Sequence, residues 1–405
     1  MNNKIVIFDP VCGLKTGHNI PTIEKYAHWL NTKYGCDVEA WIATDHKSSN
    51  SVLTYKKMPW VYGYWLHGTL EAELKARKKI LKNDSLLDIV KNSLHHIQAQ
   101  RRIESSLKAA IDSASKYVFF PGADFYSLVA LLSLAQRKKI GTKKVFIIRL
   151  MGVMESATKL PRSKEIFNQV LYDLKSILGH KAIFTAETEK YAFELTGLLN
   201  SEVLVTSIPG PTISIAEKIS RNENPFIISC LGGARADKGY FEIQDLATKA
   251  HAIFNLKHGK NIKFSVQSMS PRNLDFSWEY QNQLAKSPNV NLVKPRLSDS
   301  ELDYEISKAN LILLPYSQGT YASRGSAILF DTLLHGVPIL GSDDTGFGDS
   351  IRTAGLGLTY QGNDDFLNRL SDLINLSPER NSEISRNQKI YYTKLINNLE
   401  ECFNE

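Results

Sequence analysis

Two cations three residues apart, Arg235 and Lys238, stand in a loop with paired glycines, GGARADKG, at residues 232–239. Gly232 and Gly233 let backbone approach a ligand closely, and the two side chains bring positive charge to the entrance of the next helix, which suits a diphosphate. A second entrance of this kind lies at Gly325 and Ser326, within the stretch LILLPYSQGTYASRGSAILFDTLLHGVPILGSDDTG from Leu311 to Gly346. Unpaired backbone N–H groups and the positive end of a helix dipole suit a phosphate there as well. Asp331, six residues beyond Gly325, is the only acid in an otherwise apolar helix, so it is either paired inside the protein or aimed at a ligand. Taken singly, each glycine loop reads as an ordinary tight turn between strand and helix. Taken together on one sheet edge, the two match a nucleoside diphosphate. GxxxxGK[ST] does not occur, so this is not a P-loop.

Four further polar residues end apolar strands or sit in glycine loops. His18 follows Gly17 in the first loop, at the carboxyl end of the first strand, where ligands gather in open α/β sheets. Arg149 closes an apolar strand, where a charge is costly unless paired, and is either a structural ion pair or a substrate ligand. Asp124 and Glu187 end strands on what should be the same rim; each reads as a helix cap or dipole partner, or as a group facing the acceptor.

Strand and helix alternate along the chain to position these groups. In the first half, apolar runs at Lys4–Phe8, Val38–Ala43, Tyr117–Phe120, Lys144–Leu150, Ala182–Ala186 and Val203–Ser207 predict strands, with helices such as Ser163–Leu178 between them. Pro209, Pro211 and the polar run from Ser220 to Pro225 mark a joint. A second series follows: strands at Phe226–Leu231, Ile262–Val266, Val290–Val293, Leu311–Leu314 and Val337–Leu340, with a helix over about 326–335. Past Gly346 the pattern fades until Phe366. Tyr391, Leu395, Leu399 and Cys402 share one face of a closing helix. The expected fold class is α/β, two parallel sheets each covered on both faces.

A length of 405 residues implies two domains, and 43% hydrophobic with 22% charged residues describes an ordinary globular chain. The net charge of +7 favours anionic partners without choosing among nucleotides, anionic lipid and nucleic acid. Nucleic acid is disfavoured because no recognised binding motif accompanies the charge. Cys12, Cys36, Cys230 and Cys402 lie far apart with no CxxC pair, which suggests neither a disulfide framework nor a metal site. A reducing, cytoplasmic setting is expected. No leader and no span of 18 apolar residues is visible, so membrane contact would be peripheral, at the inner face. Between Thr69 and Lys108 nine Lys and Arg face five Asp and Glu, and the aromatics Trp60, Tyr62, Tyr64 and Trp65 precede them, which makes that region either a solvated face or a patch for anionic lipid.

On GGARADKG, GHNIPTIEKYA and the Leu311–Gly346 stretch, the chain resembles nucleotide-sugar glycosyltransferases of the GT-B architecture, and is similar above all to glycosyltransferase family 4. The resemblance implies two facing Rossmann-like domains with a cleft between them. Residues 1–215 would bind acceptor, 216–380 would bind donor, and 381–405 would form a helix crossing back to the first domain. It implies that Arg235 and Lys238 neutralise the donor pyrophosphate, that Gly232, Gly233, Gly325 and Ser326 present backbone, and that Asp331 accepts from the ribose hydroxyls. Arg296, Tyr316, Tyr321 and Arg324 join the donor site by the same likeness, Gly17 and His18 lie near the transferred sugar, and Asp124, Arg149 and Glu187 face the acceptor. Ser323 stands where the family signature has the first of two glutamates, and Arg235 is three residues before Lys238 where many members have five. The implied activity is transfer of a sugar from a UDP or GDP sugar to a glycan or lipid-linked acceptor in surface polysaccharide or glycoconjugate synthesis, with retention and without metal or separate cofactor. An epimerase of the same architecture and a non-catalytic, transferase-like binding subunit are the alternatives.

Overall fold

Short runs of Ile, Val, Leu and Phe, each stopped by Gly, Pro or a polar cap, become parallel strands buried on both faces. The structure, a computed structural model, describes residues 4–12, 19–43, 46, 52–58, 101–152, 163–210, 224–269 and 278–404. The first sheet holds β1 (Lys4–Asp9), β2 (Asp37–Ile42), β3 (Leu53–Lys57), β4 (Tyr117–Phe120), β5 (Val145–Leu150), β6 (Ala182–Ala186) and β7 (Leu204–Val205), in the order β3-β2-β1-β4-β5-β6-β7. The second holds β8 (Phe226–Cys230), β9 (Ile262–Gln267), β10 (Val290–Val293), β11 (Leu311–Leu314), β12 (Ile339–Ser342) and β13 (Gly357–Tyr360), in the order β10-β9-β8-β11-β12-β13. Every described pairing is parallel, for example Ile7 with Ala40 across β1 and β2, and Ile312 with Ser229 across β11 and β8.

The strand order reverses between β1 and β4 in one sheet and between β8 and β11 in the other. At such a switch point the connecting loops part to opposite faces and leave a crevice at the carboxyl ends of the strands. The 231–239 and 315–326 loops flank the second crevice; at the first, Asp9 ends β1, and Asp124, expected at a strand end, instead lies past the end of β4 as the cap of the helix Phe125–Gln136.

Several elements differ from the sequence pattern for local reasons. The helix expected over 326–335 is shorter, Ala327–Leu333, and the strand expected at Val337–Leu340 runs Ile339–Ser342 because Pro338 delays its start. The loop after β11 carries a single helical turn, Gln318–Tyr321. Where periodicity fades past Gly346, a helix runs Gly346–Thr353, started by the Thr345 hydroxyl, which accepts from the Gly348 amide at 3.0 Å. β3 and β13 are edge strands with little apolar content, LTYKK and GLTY, and escape a reading based on apolar runs.

One apolar core runs through both halves. It joins Phe120, Phe184 and Leu195 under the first sheet to Ile312, Phe347 and Leu356 under the second. The last helix, Pro378–Glu401, starts against the second sheet and ends in the first: Gln388 Nε2 donates to Val337 O at 2.7 Å and Asn398 Nδ2 to Val205 O at 2.8 Å.

Candidate functional site

The loop after β8 turns on Gly232 and Gly233, with φ of +99° and +78°. A Cβ at Gly232 would lie 2.7 Å from Ile328 Cγ1 and 2.8 Å from Lys238 Nζ, so this position admits glycine alone. Both glycine amides donate to Gln267 Oε1 at 2.8 Å, which holds the loop against the end of β9. Lys238 folds back to donate to Gly232 O, with its ammonium 5.2 Å from the centroid of the Tyr316 ring. Arg235 forks onto Asp237 at 2.9 Å through Nε and Nη2 and donates from Nη2 to Tyr321 Oη at 2.8 Å. Arg324 lies over the Tyr321 ring, its Cζ 5.3 Å from the centroid. Tyr316 and Tyr321 pack together at 4.6 Å, backed by Phe347. Ser326 caps the helix Ala327–Leu333 through the Leu329 amide and points its hydroxyl at Tyr316 Oη, 3.5 Å away.

Three cations therefore converge on one aromatic pair. Burial drives the Lys238 ammonium well below the ordinary lysine range, and the charges of Arg235 and Arg324 push the same way against the single acid Asp237. Burial also opposes the charge of Arg235, but Tyr321 and Asp237 more than offset it and leave its affinity for the proton raised. A site with surplus positive charge, where burial and two arginines both work against the lysine ammonium, is complemented by an anion, whose charge would offset that strain.

The rim of the first sheet touches this region. Arg149, buried at the end of β5, lies 2.9 Å from Glu187 Oε1 at the end of β6 and donates to Pro121 O at 3.0 Å. The other oxygen, Glu187 Oε2, accepts from the Gly325 amide at 3.1 Å. Thus the N–H expected to face a donor phosphate has a carboxylate partner from the other domain. Thr188 Oγ1 donates to Ser323 O at 2.8 Å, and Ser323 Oγ to Glu194 Oε1 at 3.2 Å. Asp331 faces Lys25 of the first domain, 3.7 Å from Nζ, and Lys25 also reaches Asp299 at 3.7 Å. Burial pushes the Asp331 carboxyl up to about 6, with Lys25 working against the shift.

Asp124 caps the helix Phe125–Gln136, accepting from the Tyr126 and Ser127 amides and the Ser127 hydroxyl. Arg296 is exposed on the loop after β10 and has no hydrogen bond or ion pair among the described residues. Gly17 and His18 lie outside the described residues, as do Trp60, Tyr62, Tyr64 and Trp65. Sequence reasoning missed Gln267, Lys25 and Asp9. Asp9 ends β1 at the first switch point, where burial and then the nearby Asp124 push its carboxyl up to about 7 against the pull of the Cys12 and Val11 amides. A strand-terminal Asp in KIVIFDP was the available signal for it. No group of three or more His, Cys, Asp or Glu side chains is placed to hold a metal among the described residues, and none of the described helices is long and apolar enough to cross a membrane.

No protein-family model and no curated protein matches the chain by sequence. Solved structures do match along nearly its whole length. The E. coli trehalose-6-phosphate structure bound with UDP-2-fluoro glucose superimposes with a TM-score of 0.68 at 11% identity, covering 99% of this chain and 98% of that one. The sucrose-phosphate synthase of Thermosynechococcus elongatus gives 0.61 at 11%, with 97% and 95% covered. WaaG, a glycosyltransferase involved in lipopolysaccharide biosynthesis, gives 0.54 at 15%, with 96% and 95% covered. The fold is GT-B. In this architecture the Arg235–Lys238–Arg324 cluster belongs to the second Rossmann-like domain and the Arg149–Glu187 pair to the first.

Proposed function

We propose that the chain transfers a sugar from a nucleoside diphosphate sugar to a hydroxyl acceptor. The observation that carries this reading is the convergence of Arg235, Lys238 and Arg324 on Tyr316 and Tyr321 at the β8–β11 switch point, with Lys238 held below its ordinary range. When the bond between sugar and phosphate breaks, negative charge grows on the departing diphosphate. Fixed cations already in place stabilise that charge without reorganising, which is the largest single contribution such a site can make. Asp331 is proposed for the ribose hydroxyls, and Ser326 and the glycine loop for the phosphates. UDP is favoured over GDP because UDP-2-fluoro glucose is the ligand in the E. coli structure of the same fold. The acceptor is proposed to be a glycan, sugar phosphate or lipid-linked sugar, and configuration to be retained, in line with the family that the sequence resembles.

The test is a thermal-shift screen of the full chain against UDP, GDP and their sugars, followed by a transfer assay with the sugar nucleotide that stabilises it. Lys238→Ala is expected to slow turnover on the order of a hundredfold, about 3 kcal/mol of transition-state stabilisation. Unchanged turnover would refute the role of Lys238. Stabilisation by no nucleotide would refute the donor site and favour a non-catalytic subunit, and isomerised sugar without acceptor would favour an epimerase.

A further inference from the structure

Glu187 belongs to the first domain, yet its carboxylate is fixed at the mouth of a helix of the second. Three observations hold it there. Arg149 lies 2.9 Å from Oε1, the Gly325 amide donates to Oε2 at 3.1 Å, and the neighbouring Thr188 hydroxyl donates to Ser323 O at 2.8 Å. The approach depends on glycine: a Cβ at position 325 would stand 2.8 Å from Glu187 Cβ and 3.0 Å from Oε2. Opposite Ser323, Gly152 at φ +71° leaves the same clearance, since a Cβ there would lie 2.9 Å from Ser323 O. Both rims thus carry glycine where they meet, and the side chain admitted between them is an acid.

A carboxylate offers about four acceptor directions, of which the Gly325 N–H uses one, while Arg149 stands beside it as an ion pair. Its charge is wrong for a phosphate, because a second anion a few ångströms away would be repelled and the Gly325 N–H is already taken. The same charge suits hydroxyl donors, for which charge-assisted bonds are the stronger kind. Arg149 has its own unfilled capacity: Nε and Nη2 are both buried and without a hydrogen-bond partner among the described residues. We infer that Glu187 is a sugar-binding residue supplied by the first domain, which accepts hydrogen bonds from the hydroxyls of the donor's sugar, while Arg149 positions it and the diphosphate is confined to the Arg235–Lys238–Arg324 cluster. This rests on the donor reading above and divides that site into a cationic phosphate end and an anionic sugar end.

The experiment measures dissociation constants of the wild type, Glu187→Gln and the double variant Arg149→Met with Glu187→Leu, for UDP and UDP-glucose, or for GDP and GDP-mannose if the thermal screen selects guanine. The double variant replaces a buried ion pair by apolar groups of similar volume, an exchange that is often neutral or stabilising, and so guards against loss of fold. The expected result is a sugar-nucleotide affinity lowered about tenfold or more, as for loss of a hydrogen bond to a charged group, with the affinity for the bare nucleotide unchanged. Equal weakening of both ligands would make Glu187 a clasp between domains and overturn the inference. Tighter binding of the bare nucleotide would show that Glu187 competes with phosphate for the Gly325 amide, and would overturn it as well, as would no change in either. A wild type that binds neither member of either pair would instead sink the donor reading itself.

Discussion

Among single residues, Asp331 gives the plainest pH signature. Its folded-state pKa is raised to about 6 from an ordinary 3.8, chiefly by burial, with Lys25 only partly compensating and Asp303 and Asp299 adding to the rise. A raised carboxyl contributes stability that is fully present below the unfolded value and is lost as pH rises through the folded one. The wild type should therefore lose stability between about pH 4 and pH 6 through this group. The carboxyl is a quarter exposed, so the full two-unit shift is discounted for solvent, which leaves roughly 2 kcal/mol. Asp331→Asn is expected to be more stable than the wild type at pH 7 by that order, with the difference vanishing near pH 4 in urea titrations. An equal difference at both values would mean that burial of the charge is not what strains the site. If Asp331 also binds ribose, the more stable variant is the weaker binder, a trade that favours keeping the acid.

At the scale of elements, the loop after β8 is the part least able to change. Gly232→Ala places a methyl group within 2.8 Å of both Ile328 Cγ1 and Lys238 Nζ on a backbone at φ +99°. The variant should lose about 1–3 kcal/mol of stability from backbone strain alone, and nucleotide binding more severely, because Lys238 must leave the Gly232 carbonyl. Nucleotide affinity equal to that of the wild type would separate this loop from the site. The loop and its helix were legible in the sequence because a buried strand stopped by paired glycines has few alternatives, and the same logic located β11, β12 and the Ser326 entrance. Edge strands β3 and β13 were not legible: pairing with a neighbour, rather than an apolar run, makes LTYKK and GLTY strands. Nor was the meeting of Glu187 with Gly325, since its partners stand 138 residues apart and only the packing of two sheets brings them together. The sequence reading placed Glu187 on one rim and Gly325 on the other, and the contact between the rims is what ties them.

Across the whole molecule, the last helix decides whether the two sheets behave as one body. It lays Ile384 and Gln388 against the second domain, sends Tyr391 Oη to Glu189 Oε2 at 3.0 Å between them, and buries Leu399, Cys402 and Phe403 in the core around β1 and β2. Phe403 O also accepts from Tyr117 Oη at 2.7 Å, and Phe403 packs edge-on against Phe119 and Trp29. Loss of a single buried leucine side chain costs about 2–5 kcal/mol, and a domain has only about 5–15 kcal/mol of stability in all. Deleting residues 395–405 removes Leu395, Leu399 and Phe403 together, so the first sheet should fall well below the second, which keeps its own packing through Ile384 and Gln388. Calorimetry is expected to show one unfolding transition for the full chain, because the apolar core is continuous between the sheets, and two for the shortened chain, the first sheet melting earlier. A shortened chain that still melts once at the wild-type temperature would show that the core shared through Leu195, Phe347 and Leu356 couples the domains unaided, and that the helix adds nothing to their union.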